Sequence, residues 1–331
     1  MTYKKSNVKK LEKLNRYSPI GSLGAMLESC RPAHSMAVEY FIEDWLTGLG
    51  GFTDPAGNVI VRVGDSSRVM WSSHTDTVHT KAGRQRVVVS GDNFKLGHGS
   101  GSSCLGADCS TGVWLMREMI LNRVNGLYVF HDSEEVGGHG SDWLAKNHGG
   151  LLDGIDFCIA FDRKGFDSVI THQFGQRTAS DLFAESISPL MPHKYKKDTG
   201  GTFTDSANYV DVIAECTNLS VGYLAQHMAQ ETQSVSHALA MRDAMLNFDE
   251  SKLIKSRVAG SVEYDESDFM SGYNYWTPSK KQNSNSFYDL TRFVENYPNE
   301  VAAFLDDMGV TVGDLWDSYE SGFNSYGKGR G

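Results

Sequence analysis

Residues 126–141 read GLYVFHDSEEVGGHGS. The apolar LYVF (127–130) has the length and composition of a buried strand. It ends in His131 and Asp132, then two adjacent carboxylates, Glu134 and Glu135, then glycines at 137, 138 and 140. Two like charges side by side in a glycine-rich turn repel each other, so something must offset the repulsion. A strand that runs into a polar turn is also the unit of an open α/β sheet, where ligands bind beyond the carboxyl ends of the strands.

The same unit recurs on either side. MAVEYFIEDWLTGL (36–49) spaces its apolar residues as an amphipathic helix, GNVIVRVG (57–64) alternates as a strand, and SSRVMWSSHTDTVH (66–79) is a strand running into a loop. RQRVVVSGDNF (84–94) reads as a short strand and turn, and STGVWLMREMILNR (110–123) as a helix. SDWLAKNHGGLL (141–152) is a helix with Ser141 as its cap, FCIAFD (157–162) an apolar strand, VIAECTNLSVGY (212–223) a strand region and SVSHALAMRDAMLNF (234–248) a helix. The expected fold is α/β, a central mixed, largely parallel β-sheet flanked by helices on both faces. Past about residue 255 the chain turns polar, aromatic and turn-rich. The division expected is a basic N-terminal head (1–24), a catalytic domain (25–255) and a small, mostly helical C-terminal appendage (256–331). That appendage would have short helices within 288–321 and a disordered tail.

Bulk properties exclude several classes. Of 331 residues, 40% are apolar and 22% charged, an ordinary globular composition. The net charge of −10 argues against nucleic acid as a partner. Residues 1–16 carry six Lys/Arg and one Glu, which reads as a solvated head; without an apolar stretch it is no secretory signal. No apolar run approaches the roughly 18 residues a membrane span needs. The cysteines at 30, 104, 109, 158 and 216 form no CxxC pair, which suggests free thiols in a reducing compartment and a cytoplasmic protein.

Five places put acids or histidines at strand ends or adjoining loops: His74 and Asp76 in SSHTDTVH, Asp108 in LGADCSTG, Glu134 and Glu135, Asp162 in AFDRKG, and His227 in SVGYLAQHMAQE. Imidazole and carboxylate in this mixture suit two divalent cations, zinc first, with cobalt or manganese as alternatives. In His74-Thr75-Asp76 the histidine can bind a metal while Asp76 orients its other ring nitrogen. Asp108, in a turn before a helix, could bridge two cations, which together clamp a water and polarise a carbonyl. Neighbouring glutamates point in different directions, so Glu135 can bind a metal while Glu134 faces the water as general base. Nearby dications then remove the like-charge penalty.

The segments SHTDTV, GADCSTGV, DSEEVGG, AFDRKG and VGYLAQHMAQE, in this order, resemble the co-catalytic di-zinc exopeptidases. That superfamily takes in leucyl aminopeptidases, peptidase T-like tripeptidases, tetrahedral aminopeptidases, glutamate carboxypeptidases and desuccinylase-like deacylases. AVEYFIEDWLTGLGGFTDPAGNVIVRV resembles their N-terminal helix and strand, and GGTFTDSANYV the segment before their last ligand; the likeness covers roughly 25–250. It implies two metals sharing Asp108, one also held by His74 and Asp162 and the other by Glu135 and His227. Glu134 would be the base, and Asp76 the partner of His74. His237 and His172 are the competitors of His227. Many relatives insert a lid domain between the fourth and fifth ligands. Here only 65 residues separate Asp162 from His227 and must also supply strands, which favours the lidless, aminopeptidase-like branch.

The resulting expectation is a metal-dependent aminopeptidase that attacks N-terminal peptide bonds of small peptides with a hydroxide bridging two metals. An amidohydrolase of N-acyl amino acids or cell-wall peptides uses the same chemistry. A metal-binding scaffold with vestigial catalysis is an alternative of another class. A thiol nucleophile at Cys109 lacks an accompanying histidine motif. Asp205 and Arg163 are candidates to hold a substrate amine and carboxylate, with structural ion pairs the favoured reading of both. A homo-oligomer is compatible with all of these.

Overall fold

The computed structural model describes residues 18–261, the strand Val8–Lys10 and isolated positions between 294 and 313. The chain divides into two compact units, 1–263 and 264–331. The helices and tail expected in the appendage fall outside the described residues except at those isolated positions. Arg257, just past the expected boundary at 255, is buried and donates to the carbonyls of Thr178 and Ala214.

An eight-stranded mixed sheet forms the centre of the first unit. Its order is Lys196–Asp198, Ser168–Ile170, Glu215–Ser220, Phe157–Arg163, Val69–His74, Gly126–His131, Val59–Val63 and Phe52–Thr53. The middle four strands run parallel, and Val59–Val63 and Phe52–Thr53 add antiparallel at one side. Central parallel strands are covered on both faces, which is why Val69–His74 and Gly126–His131 are buried at every position.

Alternation along the strands creates two cores. Trp71, Tyr128, Phe157, Ile159 and Phe161 face the helices Pro19–Leu27, Ala107–Leu121 and Val235–Leu246. Met70, Leu127, Val129 and Cys158 face His139–Asn147 and the short helical turn Asp205–Tyr209. Trp71 stacks on Phe161 at 5.5 Å and meets the edge of Phe248 at 5.0 Å. Each such buried ring stabilises the fold by ~1.5–3 kcal/mol. At Gly112 the helix Ala107–Leu121 lies directly against the sheet. A Cβ there would lie 2.4 Å from the Phe161 carbonyl and 2.7 Å from Ser73 Oγ.

Two local expectations change. The helix read as 141–152 begins at His139 behind Gly138, whose φ of 64° suits glycine, while Ser141 Oγ donates to the Gly138 carbonyl instead of capping. It ends at Asn147 because Gly149 and Gly150 follow with φ of 54° and 88°. The sequence reading also omitted a second, antiparallel sheet ordered Val8–Lys10, Val87–Ser90, Asn93–Leu96, Thr232–Ser234, Tyr223–Leu224. Part of the basic head is therefore an edge strand. No separate lid interrupts 162–227: its longer strand, Glu215–Ser220, belongs to the central sheet. Among the described residues, no helix is long and apolar enough to cross a membrane.

Candidate metal centre

The carboxyl ends of the four parallel strands converge on one place. His74 ends its strand, Asp162 lies at the end of Phe157–Arg163, and the glutamate turn follows His131. His227 arrives from beyond Ser220, on the loop between Tyr223–Leu224 and Thr232–Ser234, which the second sheet holds over the site.

Asp108 is the meeting point. His74 Nε2 lies 3.0 Å from its Oδ1, and His227 Nε2 lies 3.2 Å from its Oδ2. His74 Nε2 is also 3.4 Å from Asp162 Oδ1, and His227 Nε2 is 3.4 Å from Glu135 Oε2. Each oxygen of Asp108 thus faces one histidine–carboxylate pair. Of the competing histidines, His237 instead lies against the Tyr195 hydroxyl at 3.1 Å, and His172 is next to Thr171 Oγ1 at 3.0 Å.

Asp76 does more than sit beside His74. Its Oδ1 is 3.4 Å from His74 Nδ1, whose closer neighbour is the Asp76 carbonyl at 3.1 Å. Its two oxygens accept the backbone N–H groups of Glu134 and Glu135, at 3.1 and 3.2 Å. One carboxylate therefore connects the histidine strand to the glutamate turn. Within that turn Ser133, Gly137 and Gly138 all have positive φ, and Gly137 and Gly138 donate to the Glu134 carbonyl. Glu134 Oε2 stands 4.0 Å from His74 Nε2.

Asp162 is held by the hydroxyls of Thr204 (2.6 Å) and Tyr223 (3.4 Å), and its backbone exchanges hydrogen bonds with Asn218. Thr204 belongs to GGTFTDSANYV, so that segment carries a contact the motif alone did not specify. Glu231 closes the segment VGYLAQHMAQE, four residues past His227. Its buried carboxylate accepts the backbone N–H groups of Leu105, Gly106, Ala107 and Asp108 at 2.8–3.1 Å. The N–H groups at the start of the helix that presents Asp108 are thereby satisfied by a carboxyl that burial and the charge of Asp108 lift to about 7. The Asp108–Cys109 peptide is cis.

Electrostatics follow from crowding. Burial raises Asp108, but the imidazoles of His227 and His74 close to its two oxygens outweigh it and hold the carboxyl far below its ordinary range. Burial pushes Glu134 and Glu135 well up, with neighbouring carboxylates adding to it. Asp162 rises to about 6, through burial and the charge of Asp108. His74 and His227 are raised because surrounding carboxylates outweigh their burial.

The donor set fits divalent cations. Ligand atoms of His74, Asp108 and Glu135 lie within 4.8 Å of one another, as do those of His74, Cys109 and Asp162. Glu135 Oε1 and both ring nitrogens of His227 are buried without a hydrogen-bond partner; His227 Nε2 is close to Asp108 but lacks hydrogen-bond geometry. Polar atoms are rarely buried in this way unless another partner completes them.

The remaining candidates separate. Cys109 donates its thiol proton to the Phe161 carbonyl at 3.1 Å, and burial pushes the thiol well up, so it is a poor nucleophile. All five cysteines are free and buried. Arg163 pairs with Asp198 at 3.6 Å and donates to the Gly200 carbonyl. Asp205 has no ion pair among the described residues, contrary to the favoured reading: both oxygens are buried without a hydrogen-bond partner, and burial lifts it to about 7.

No protein-family model matches this chain, and no curated protein does. Solved structures do. The aminopeptidase PepT from Bacillus cereus ATCC 10987 aligns with a TM-score of 0.57 at 12% identity, over 70% of this chain and 98% of its own. A tripeptidase from Staphylococcus aureus subsp. aureus mu50 gives 0.56 at 12% identity over 70% and 97%. The TET1 peptidase of Pyrococcus horikoshii gives 0.51 at 15% identity over 70% and 100%. With its mixed sheet and a helical layer on each face, the chain has the fold of these peptidases.

Proposed function

We propose that this chain is a metal-dependent exopeptidase, an aminopeptidase that hydrolyses the N-terminal bond of small peptides. The observation that carries the reading is the division of Asp108, one oxygen facing His74 and the other His227. His74 and Asp162 would hold one divalent cation, Glu135 and His227 a second, and Asp108 would serve both. Two such cations, zinc first and cobalt or manganese as alternatives, supply Lewis acidity toward a carbonyl oxygen and make a water acidic enough to attack near neutral pH.

The chain's own residues do the rest. Glu134 is the general base: it stands beside the ligand set and is not needed as a ligand. It can then return that proton to the leaving amine. Asp76 fixes where Glu134 stands, by gripping the amides of the glutamate turn. Thr204 and Tyr223 keep Asp162 from rotating away.

Self-association belongs to the same proposal. The Pyrococcus horikoshii peptidase assembles into a tetrahedron or a large octahedral shell. We extend oligomer formation, not that geometry, to this chain, and light scattering on the purified protein reads it.

Metal analysis followed by a substrate screen tests the function. The purified protein should carry up to two divalent cations per chain. It should release amino acids from dipeptides and aminoacyl amides, lose that activity to a chelator, and regain it with zinc or cobalt. Turnover restricted to N-acyl amino acids would instead indicate a deacylase. Full activity in a metal-free sample, or no hydrolysis of any of these by the metal-loaded protein, would end the proposal.

A further inference from the structure

Arg31 has no exposed surface, an uncommon situation for a guanidinium. It lies on no motif of the sequence, yet it reaches the two segments that carry His74, Asp76 and Asp108. Its Nε donates to the Thr75 carbonyl at 2.7 Å, between His74 and Asp76. One terminal nitrogen donates to Ser110 Oγ at 2.9 Å, two residues past Asp108. The other donates to the carbonyls of Ser29 (3.2 Å) and Met26 (3.4 Å), which anchors the group in the N-terminal layer. The backbone of residue 31 adds two more bonds: its N–H donates to Thr77 Oγ1 at 3.1 Å, and its carbonyl accepts the Thr77 N–H at 2.8 Å. The guanidinium also lies 3.8 Å from the centre of the Phe41 ring.

Among the described residues Arg31 makes no direct ion pair with a carboxylate. The negative charge that most offsets its burial is Asp76. A buried cation without a paired anion is costly, and a neutral side chain could make some of these bonds. The planar fork does what neither lysine nor glutamine can. It holds a strand end, a helix start and an N-terminal turn at fixed angles to one another.

Resting on the exopeptidase reading, we propose that Arg31 is a positioning residue of the metal centre: it sets the spacing between the His74–Asp76 strand end and Asp108 by tying Thr75 to Ser110. Movement of either segment would separate His74 from Asp108, and through Asp76 would shift the amides of Glu134 and Glu135. Arg31 thereby acts on ligand spacing and base placement without touching substrate.

Arg31→Lys keeps the charge and removes the fork, so it isolates this role. In the zinc-loaded full-length variant kcat should fall by about tenfold to a hundredfold with KM nearly unchanged. In chelator competition, zinc affinity should fall by about tenfold. A merely structural arginine predicts a lower Tm with kcat and zinc affinity per folded molecule equal to wild type, and that result overturns the proposal. If Arg31→Lys does not fold, Ser110→Ala removes only the strut to the helix. It should shift kcat and zinc affinity in the same direction by a smaller factor, and unchanged values in both overturn the proposal equally. Wild-type protein that binds zinc but hydrolyses no peptide would sink the exopeptidase reading alone, leaving zinc competition to decide on Arg31.

Discussion

Glu231 Oε1 accepts the backbone N–H of Asp108 at 3.1 Å, although 123 residues separate the two in sequence. The same carboxylate takes the three preceding amides, and it lies four residues beyond His227. The loop that brings one proposed ligand thereby clamps the turn that presents another. Glu231→Gln keeps the volume but puts an NH₂ group against N–H donors. Without metal the variant should lose ~1–3 kcal/mol of stability, the usual cost of leaving buried donors unsatisfied. Added zinc should stabilise the variant less than wild type, because a loosened Asp108 binds metal more weakly. Calorimetry with and without zinc measures both; equal melting in all four samples would remove the clamp from the account.

Glu134 and Glu135 should respond differently to substitution. Glu134→Gln leaves the proposed ligands intact and should keep its metals while losing about 10²–10⁴-fold in kcat, the range for a positioned general base. Glu135→Ala removes a ligand oxygen, so occupancy should fall toward one cation and excess metal should partly restore turnover. Metal content and kcat measured on the same preparations decide it. Reversed responses would exchange the two roles.

Gly112 is where the helix carrying Asp108 meets the sheet. Gly112→Ala forces a methyl group to within 2.4 Å of the Phe161 carbonyl, so helix or strand must shift. Overpacking of this kind costs about 1–3 kcal/mol. Urea unfolding should show that loss, and kcat should fall too because Asp108 moves with the helix. Wild-type stability would mean that the contact relaxes freely.

His79 provides a pH test away from the ligands. Burial, aided by the charge of Arg31 and opposed by its bond to Gln85, lowers it to about 4. It accepts from or donates to Thr77, Gln85 and the Cys104 carbonyl as a neutral ring. The folded pKa lies below the unfolded value near ~6.5. The stability this histidine contributes is therefore complete above pH 6.5 and is lost as pH falls from there toward 4, by up to ~1.4 kcal/mol per unit. His79→Gln lacks that dependence. The stability gap between wild type and variant in metal-free protein should narrow by about that slope between pH 6.5 and 4.5. A constant gap would show that His79 does not titrate on unfolding.

Much of the centre was legible in the chain because its chemistry is local. His74-Thr75-Asp76, the Glu134–Glu135 turn with its glycines, and Asp162 at the end of an apolar strand each join an element of short period to a residue type with few other uses. The central α/β sheet follows from the same alternation. Ser141 was misread because its hydroxyl, a strong capping signal in sequence, is taken up by the Gly138 carbonyl and Asn208, while a left-handed glycine starts the helix.

What only the tertiary structure decided are the relationships across long separations. Sequence left His227 competing with His237 and His172; the pairing of Thr232–Ser234 with Asn93–Leu96 swings the 223–234 hairpin over the strand ends and sends His237 to Tyr195. Arg31 carries no periodicity or spacing that marks its work, and the spacing of Glu231 from His227 does not tell which backbone amides it takes. A charged side chain reads as surface until the fold buries it, and whether it is then a liability or a clamp depends on which backbone groups surround it. Residue types and strand ends are written along the chain. The partners that satisfy a buried charge exist only once distant segments have been brought together.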